Sequence, residues 1–336
     1  METPDPPPRG KRTPVDFLAE LEPCAARSLD RHLAVSREWF PHEFVPWSEA
    51  QDFDGPLNGQ PWRPGQSSLP AAVRDALVVN LLTEDNLPSY HREIAVRFGR
   101  DGAWGTWVHR WTAEEARHAD ALRGYLYAGR GVDPIALERA RMRHMSSGYT
   151  SDQPSVVHAL AYVTVQELAT REAHRNVGQI GGDPLLARLT ACIAADENLH
   201  MIFYRDLCAG ALALAPEEFV PALADVLCGF QMPGHDIPGF RAKAARIAAA
   251  GIYDVEVHRD HVVLPLLRRL KIMEHTGLGP AGERARDRIA EHVEELHDKA
   301  RRFQRLRPPL RRHGILLPGA AAADGPGRGG NGDAAR

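Results

Sequence analysis

Cysteine is scarce in this chain. The four present, Cys24, Cys192, Cys208 and Cys228, form no C-x-x-C pair in 336 residues. That excludes a disulfide framework and a thiolate zinc site, and it reads as the reduced thiols of a cytoplasmic protein. An excess of one charge is lacking too. Lys and Arg number 41 against 44 Asp and Glu, a net charge of −3, so nothing argues for nucleic acid or a membrane surface as a partner. No apolar run reaches the roughly 18 residues a spanning helix needs. The Pro-rich N-terminus has no apolar signal core. Alternating strand patterns are missing as well, which leaves an all-α class.

What the chain does have is glutamate and histidine at fixed intervals. Two Glu-x-x-His pairs, Glu115/His118 and Glu197/His200, each follow a lone glutamate: Glu84 lies 31 positions before Glu115, and Glu167 lies 30 before Glu197. On a helix, residues three apart share one face, so each pair can grip one metal or two neighbouring ones. Turn signals fall near the middle of each interval, at Gly99–Gly102 and Gly181–Pro184. Two helical hairpins, each supplying one Glu and one Glu-x-x-His, make the ligand set of a ferritin-like four-helix bundle with a di-iron core. The 49 residues from His118 to Glu167 suit the long crossover of that topology.

Bundle helices are expected over 73–98, 103–128, 154–180 and 184–214, with the bundle core at about 70–214 and a crossover helix near 135–145. Additional helices are expected over 216–231, 237–250, 253–275 and 279–306. One helical domain thus covers 14–315, with everything inside it reading as helix. Residues 1–13 and 316–336 are too poor in apolar side chains to offset chain entropy and are expected to be disordered tails.

Four carboxylates and two imidazoles without thiolate suit iron or manganese, and iron is the ion that reacts with dioxygen. Glu115 and Glu197 are expected to bridge two ions. Glu84 and Glu167 then serve as terminal ligands, with His118 and His200 on one ion each. A third Glu-x-x-His, Glu294/His297, lies in the charged run 291–297. It has no upstream partner glutamate and reads as a solvated face.

Beyond the ligands, the segments Thr83–Tyr90, Trp111–His118, Gln166–Thr170, Ala194–His200, Trp39–Pro46 and Gln231–His235 run in an order that resembles the soluble acyl-acyl-carrier-protein desaturases of plants and actinobacteria, over roughly residues 15–310. The resemblance implies a homodimer with two Fe ions per subunit and dioxygen as co-substrate. It also implies a ferredoxin-type electron donor and insertion of a cis double bond into an acyl chain on acyl carrier protein. Coenzyme A as the carrier stays open. So do oxygenation of another substrate, by hydroxylation or N-oxygenation, and a non-catalytic metal-binding role.

The resemblance also implies roles around the ligands. Asp196 would orient a ligand histidine and share an electron path with Trp39, whereas a surface aspartate and a packing tryptophan are the plainer readings. Thr170 would assist proton delivery, unless its hydroxyl bonds back to its own helix. Trp111, four residues before Glu115, reads as core packing. This chain departs from the plant pattern at Glu93 and Arg97, where apolar residues help set channel depth, and at Asn198 and Leu199, where two basic residues stand. The basic stretch Arg301–His313 is a candidate carrier-docking patch or a solubilising helix end.

Overall fold

The computed structural model describes residues 13–235 and 237–306. The helices are α1 (Pro14–Val35), α2 (Ala71–Asp85), α3 (Leu87–Phe98), α4 (Gly102–Ala128), α5 (Pro134–Ser147), α6 (Val156–Ile180) and α7 (Pro184–Leu214). They continue as α8 (Pro216–Gly229), α9 (Phe240–Ala249), α10 (Val255–Val257), a π-helical turn (His258–Val263), α11 (Leu264–Leu270) and α12 (Gly279–Leu306). Among the described residues there is no strand, only one isolated bridge between Phe53 and Gln60. The expected tails lie outside the described residues except for Thr13, which closes a capping box with Asp16 at the start of α1. No described helix is long and apolar enough to cross a membrane.

The starts of the long helices follow from their flanking residues. Asp183 accepts a hydrogen bond from the Leu185 N–H at 2.8 Å, with Pro184 in the first turn, where a missing N–H costs nothing. Ser155 caps α6, and Asp133 with Pro134 does the same for α5. Gly99 and Gly102 both take positive φ (97° and 60°) in the turn between α3 and α4. At Gly178 a Cβ would meet Thr190 Oγ1 at 2.2 Å, so only glycine lets α6 and α7 close to this distance.

Three expectations need correcting. The helix expected over 73–98 breaks at Asn86. Pro88 is the reason: inside a continuous helix its ring would clash with the carbonyl of residue 84 and its own hydrogen bond would be lost. The break therefore falls two residues after Glu84. Residues 36–70 are not helical apart from short 3₁₀ turns, because prolines 41, 46, 56, 61, 64 and 70 interrupt them; the helix before them, α1, was not singled out. The helix expected over 253–275 contains the π turn and ends at Lys271, which is left-handed with φ 52°.

The bundle is α2–α3, α4, α6 and α7. Its antiparallel pairing shows in long-range contacts. His91 meets Thr112 at 2.7 Å across α3 and α4, and Thr164 meets Cys208 at 3.2 Å across α6 and α7. Trp107 stacks on Phe203 at 3.6 Å and donates to the Tyr204 hydroxyl, which ties α4 to α7 in a fully buried layer. Helix α1 lies over α4 and α7, α12 covers α8, and α9 packs on α2.

His258, in the π turn, stacks on Phe230 and bonds the Tyr253 hydroxyl at 2.9 Å. Burial, with His292 adding to it, pushes His258 down to about 4 from 6.5. Between these values the unfolded chain binds a proton that the folded chain does not, so this contribution is complete above pH 6.5 and lost as pH falls to 4. The loss is at most about 3 kcal/mol. Thermal unfolding followed from pH 7 to 4 should show this acid slope, and His258→Phe should flatten it by about one proton.

Candidate metal centre

The six spaced residues come from four helices and meet at one point. Glu84 is on α2, Glu115 and His118 on α4, Glu167 on α6, and Glu197 and His200 on α7; all six are buried. They form two overlapping groups that could each hold a metal ion: Glu84, Glu115, His118 and Glu197, and Glu115, Glu167, Glu197 and His200. Within each group the donor atoms lie within 4.8 Å of one another.

Glu115 and Glu197 belong to both groups, and their oxygens divide accordingly. Glu115 turns Oε2 to His118 Nδ1 (3.6 Å) and Oε1 to His200 Nδ1 (2.9 Å). Glu197 also divides its oxygens, with Oε1 3.8 Å from His118 Nδ1 and Oε2 4.0 Å from His200 Nδ1. Of the two histidines in the cluster, Glu84 faces His118 alone (3.8 Å) and Glu167 faces His200 alone (3.7 Å). Two carboxylates thus face both histidines, and two face one each. Glu294 and His297 are exposed, with His297 against Arg259, so the third motif plays no part in the cluster.

Two cations fit this donor set. His118 Nδ1, His200 Nδ1, Glu167 Oε2 and Glu197 Oε2 are buried and have no hydrogen-bond partner, and all four belong to the two groups. Such atoms are costly unless something positive meets them. The protonation pattern carries the same strain. Burial, and then the charges of Glu115 and Glu167, push Glu197 well above the usual carboxylate range. Burial opposes charge on Glu115 too, yet the neighbouring His118 and His200 imidazoles hold it well below that range. Bound cations would take the place of those protons.

His118, His200, Glu84 and Glu167 each have a support behind them. Asp196 Oδ2 collects four donors: Trp39 Nε1 (2.8 Å), Arg117 Nη2 (2.6 Å) and Nε (3.2 Å), and His118 Nε2 (3.2 Å). Trp39 lies parallel to the His118 ring at 6.1 Å. The expected Trp39–Asp196–histidine contact is therefore present. Trp111 is buried as expected, but it also donates to Glu167 Oε1 at 3.1 Å, which leaves Oε2 for the cluster. His174 stands 3.4 Å from Glu84 Oε1 in the corresponding role.

Glu114 is the support that the sequence reading missed. Its Oε2 meets His200 Nε2 at 2.9 Å, and the equivalent place before the second motif is Asp196. The signal was available: an acid precedes the Glu of both Glu-x-x-His motifs. Thr170 lines the cavity beside the cluster, and its hydroxyl donates to the Gln166 carbonyl at 2.7 Å, so the back-bond is formed.

That cavity is about 180 Å³ and mostly apolar. It follows α2 and α3 from Ala76 to Phe98 and is bounded by α6 and α9, with Glu84, Glu115 and Glu197 in its wall. Glu93 and Arg97 both face it. They pair at 3.8 Å, and Arg97 holds the Gln153 and Ser151 carbonyls at 2.7 and 2.9 Å.

The sequence model for fatty acid desaturases matches residues 13–313. The chain belongs to this family. It is 45% identical over 302 residues to DesA1 of Mycobacterium tuberculosis, named as an acyl-[acyl-carrier-protein] desaturase, covering 88% of this chain and 89% of that one. Chloroplastic acyl-[acyl-carrier-protein] desaturase 7 of Oryza sativa is 31% identical over 325 residues, covering 87% of this chain and 79% of that one. The X-ray structure of M. tuberculosis DesA2 superposes with a TM-score of 0.65 at 31% identity, covering 80% of this chain and 98% of that one. The di-iron, ferritin-like character expected from the spacing is thus shared with the family.

Because Glu115 and Glu197 serve both groups, Glu115→Ala is expected to lower the binding of both ions, whereas Glu84→Ala should lower only one. Iron content after anaerobic loading, measured per folded chain, checks this.

Proposed function

We propose that this protein is a di-iron acyl-carrier-protein desaturase. In this reading two Fe ions sit on Glu84, Glu115, His118, Glu167, Glu197 and His200. Dioxygen is the oxidant, and a cis double bond enters a saturated acyl chain held as a thioester on acyl carrier protein. A ferredoxin-type donor supplies electrons, and the active form is a homodimer. The observation that carries the proposal is the apolar cavity running past the metal-ready cluster. Glu84 lies part-way along it, with cavity residues 76–83 on one side and 87–98 on the other. A threaded chain would therefore present an interior carbon, rather than its end, to the cluster.

An unactivated methylene has no acidic proton, so acid–base side chains cannot open it; iron with dioxygen supplies the oxidising power. Two hydrogens leave neighbouring carbons, and dioxygen ends as two waters once the donor has added two electrons and solvent two protons. The chain's own residues do the remaining work. Leu87, Ile94, Phe98 and Val163 hold the acyl chain and exclude water. Asp196 and Trp39 fix His118 and connect it toward the surface. Thr170 offers a hydroxyl next to the cluster for proton transfer if it turns from the Gln166 carbonyl. The paired Glu93 and Arg97 give the cavity a charged wall at its α3 end.

Helix α9 supports an acidic carrier. Phe240, Ala244 and Ile247 line the cavity, while Arg241, Lys243 and Arg246 occur with no acidic residue over 240–249. Lys243 and Arg246 are held by Asp75 at 2.9 and 2.5 Å. A negatively charged partner docked here would sit beside the cavity. Of the basic stretch 301–313, residues 307–313 lie outside the described residues.

The test is anaerobic loading with ferrous iron, then air, reductant and a set of acyl thioesters on carrier protein or coenzyme A, with products read by mass spectrometry. Loss of two hydrogens from a carrier-bound chain is expected. Gain of oxygen instead would favour an oxygenase, and no product from any thioester would refute the proposal. Thr170→Val is expected to keep iron but consume dioxygen in excess of product. An oxygen electrode run beside the product assay measures that ratio, and unchanged coupling would remove Thr170 from the mechanism.

A further inference from the structure

The two ligand histidines are held from behind by unlike groups. Behind His118 stands Asp196 with the Trp39 indole. Behind His200 stands Glu114, whose Oε2 takes both His200 Nε2 and His32 Nε2 at 2.9 Å. Arg110 pairs with the other oxygen at 2.5 Å. Both bracing side chains, His32 and Trp39, come from the N-terminal segment, seven residues apart and outside the four ligand helices.

We infer that His32 is a positioning residue for one half of the metal centre: its N–H locks the Glu114 carboxylate that orients His200. Nδ1 of His200 faces the cluster, so its Nε2 carries the hydrogen and donates to Glu114. The same oxygen then accepts from His32 as well, which fixes the His32 tautomer. His32 is 3% exposed, and its Nδ1 is buried without a hydrogen-bond partner. It sits edge-on to Trp107 at 5.0 Å and nearly parallel to His200 at 5.9 Å. A polar ring in such a place is poorly suited to packing alone, because one nitrogen goes unsatisfied. What it gains there is the bond to Glu114. With Arg110 ion-paired at Oε1 and two imidazoles on Oε2, the carboxylate is held facing His200. His32 thereby acts on the group Glu115, Glu167, Glu197 and His200, and not on Glu84 and His118.

The inference rests on reading the six residues as a two-metal site, and its test separates the two. Full-length apo-protein is titrated with Co(II), and visible absorption and metal content are followed. The wild type should take two equivalents; fewer than two would refute the two-metal reading itself. His32→Phe keeps a ring against Trp107 but removes the N–H. It is expected to weaken one equivalent by roughly 10- to 100-fold and leave the other unchanged. His32→Gln, whose amide can donate to Glu114, is expected to restore the second equivalent. If His32→Phe fails to fold by circular dichroism, His32→Leu takes its place. Two equivalents at wild-type affinity in the Phe or Leu variant would overturn the inference. Equal weakening of both ions, or a Gln variant no better than Phe, would mark mere packing and overturn it as well.

Discussion

Four carboxylates buried within a few ångströms of one another are the constraint on which the rest of this molecule depends. Placing one such ion in a protein interior without compensation costs several kcal/mol; four together repel one another as well. The fold answers locally with imidazoles, an indole and guanidinium groups around the rim, and it leaves the inner lone pairs of His118, His200, Glu167 and Glu197 facing the centre. The long helices, the glycine-closed approach of α6 and α7, and the break after Glu84 all hold that geometry in place.

The two halves of the site are alike in plan and unlike in detail. Each motif carries an acid that reaches across to the histidine of the other, so α4 and α7 are locked through their ligands. Helix α1 and the turn after it then brace both histidines with different chemistry, indole on one side and imidazole on the other. The cavity runs along α2 and α3, and none of its lining residues comes from this bracing segment. That separation lets the channel vary, as the charged pair Glu93 and Arg97 suggests, without disturbing the ligands.

Much of this was legible in the sequence because the signals are local. Three-residue spacing places Glu and His on one helical face, and turn residues sit where the hairpins close, so the cluster of six residues and its pairing could be read directly. Caps such as Asp183-Pro184 fixed the start of α7. The helix break at Asn86 carries a local signal in Pro88. His32 was not readable: its partner lies 82 residues away, and nothing near it marks a functional histidine. Glu114 had a local signal, the acid before the motif, that was applied only to Asp196. The orientation of the Thr170 hydroxyl and the pairing of Glu93 with Arg97 depend on tertiary neighbours, which spacing does not encode.

The central claim is that these six side chains surround two cations that share Glu115 and Glu197. Anomalous diffraction at the iron edge from crystals of the iron-loaded protein tests it most directly. The account predicts two peaks, one facing Glu84 and His118, the other Glu167 and His200, with Glu115 and Glu197 between them. A single peak, or iron bound elsewhere with these carboxylates turned away, would contradict it.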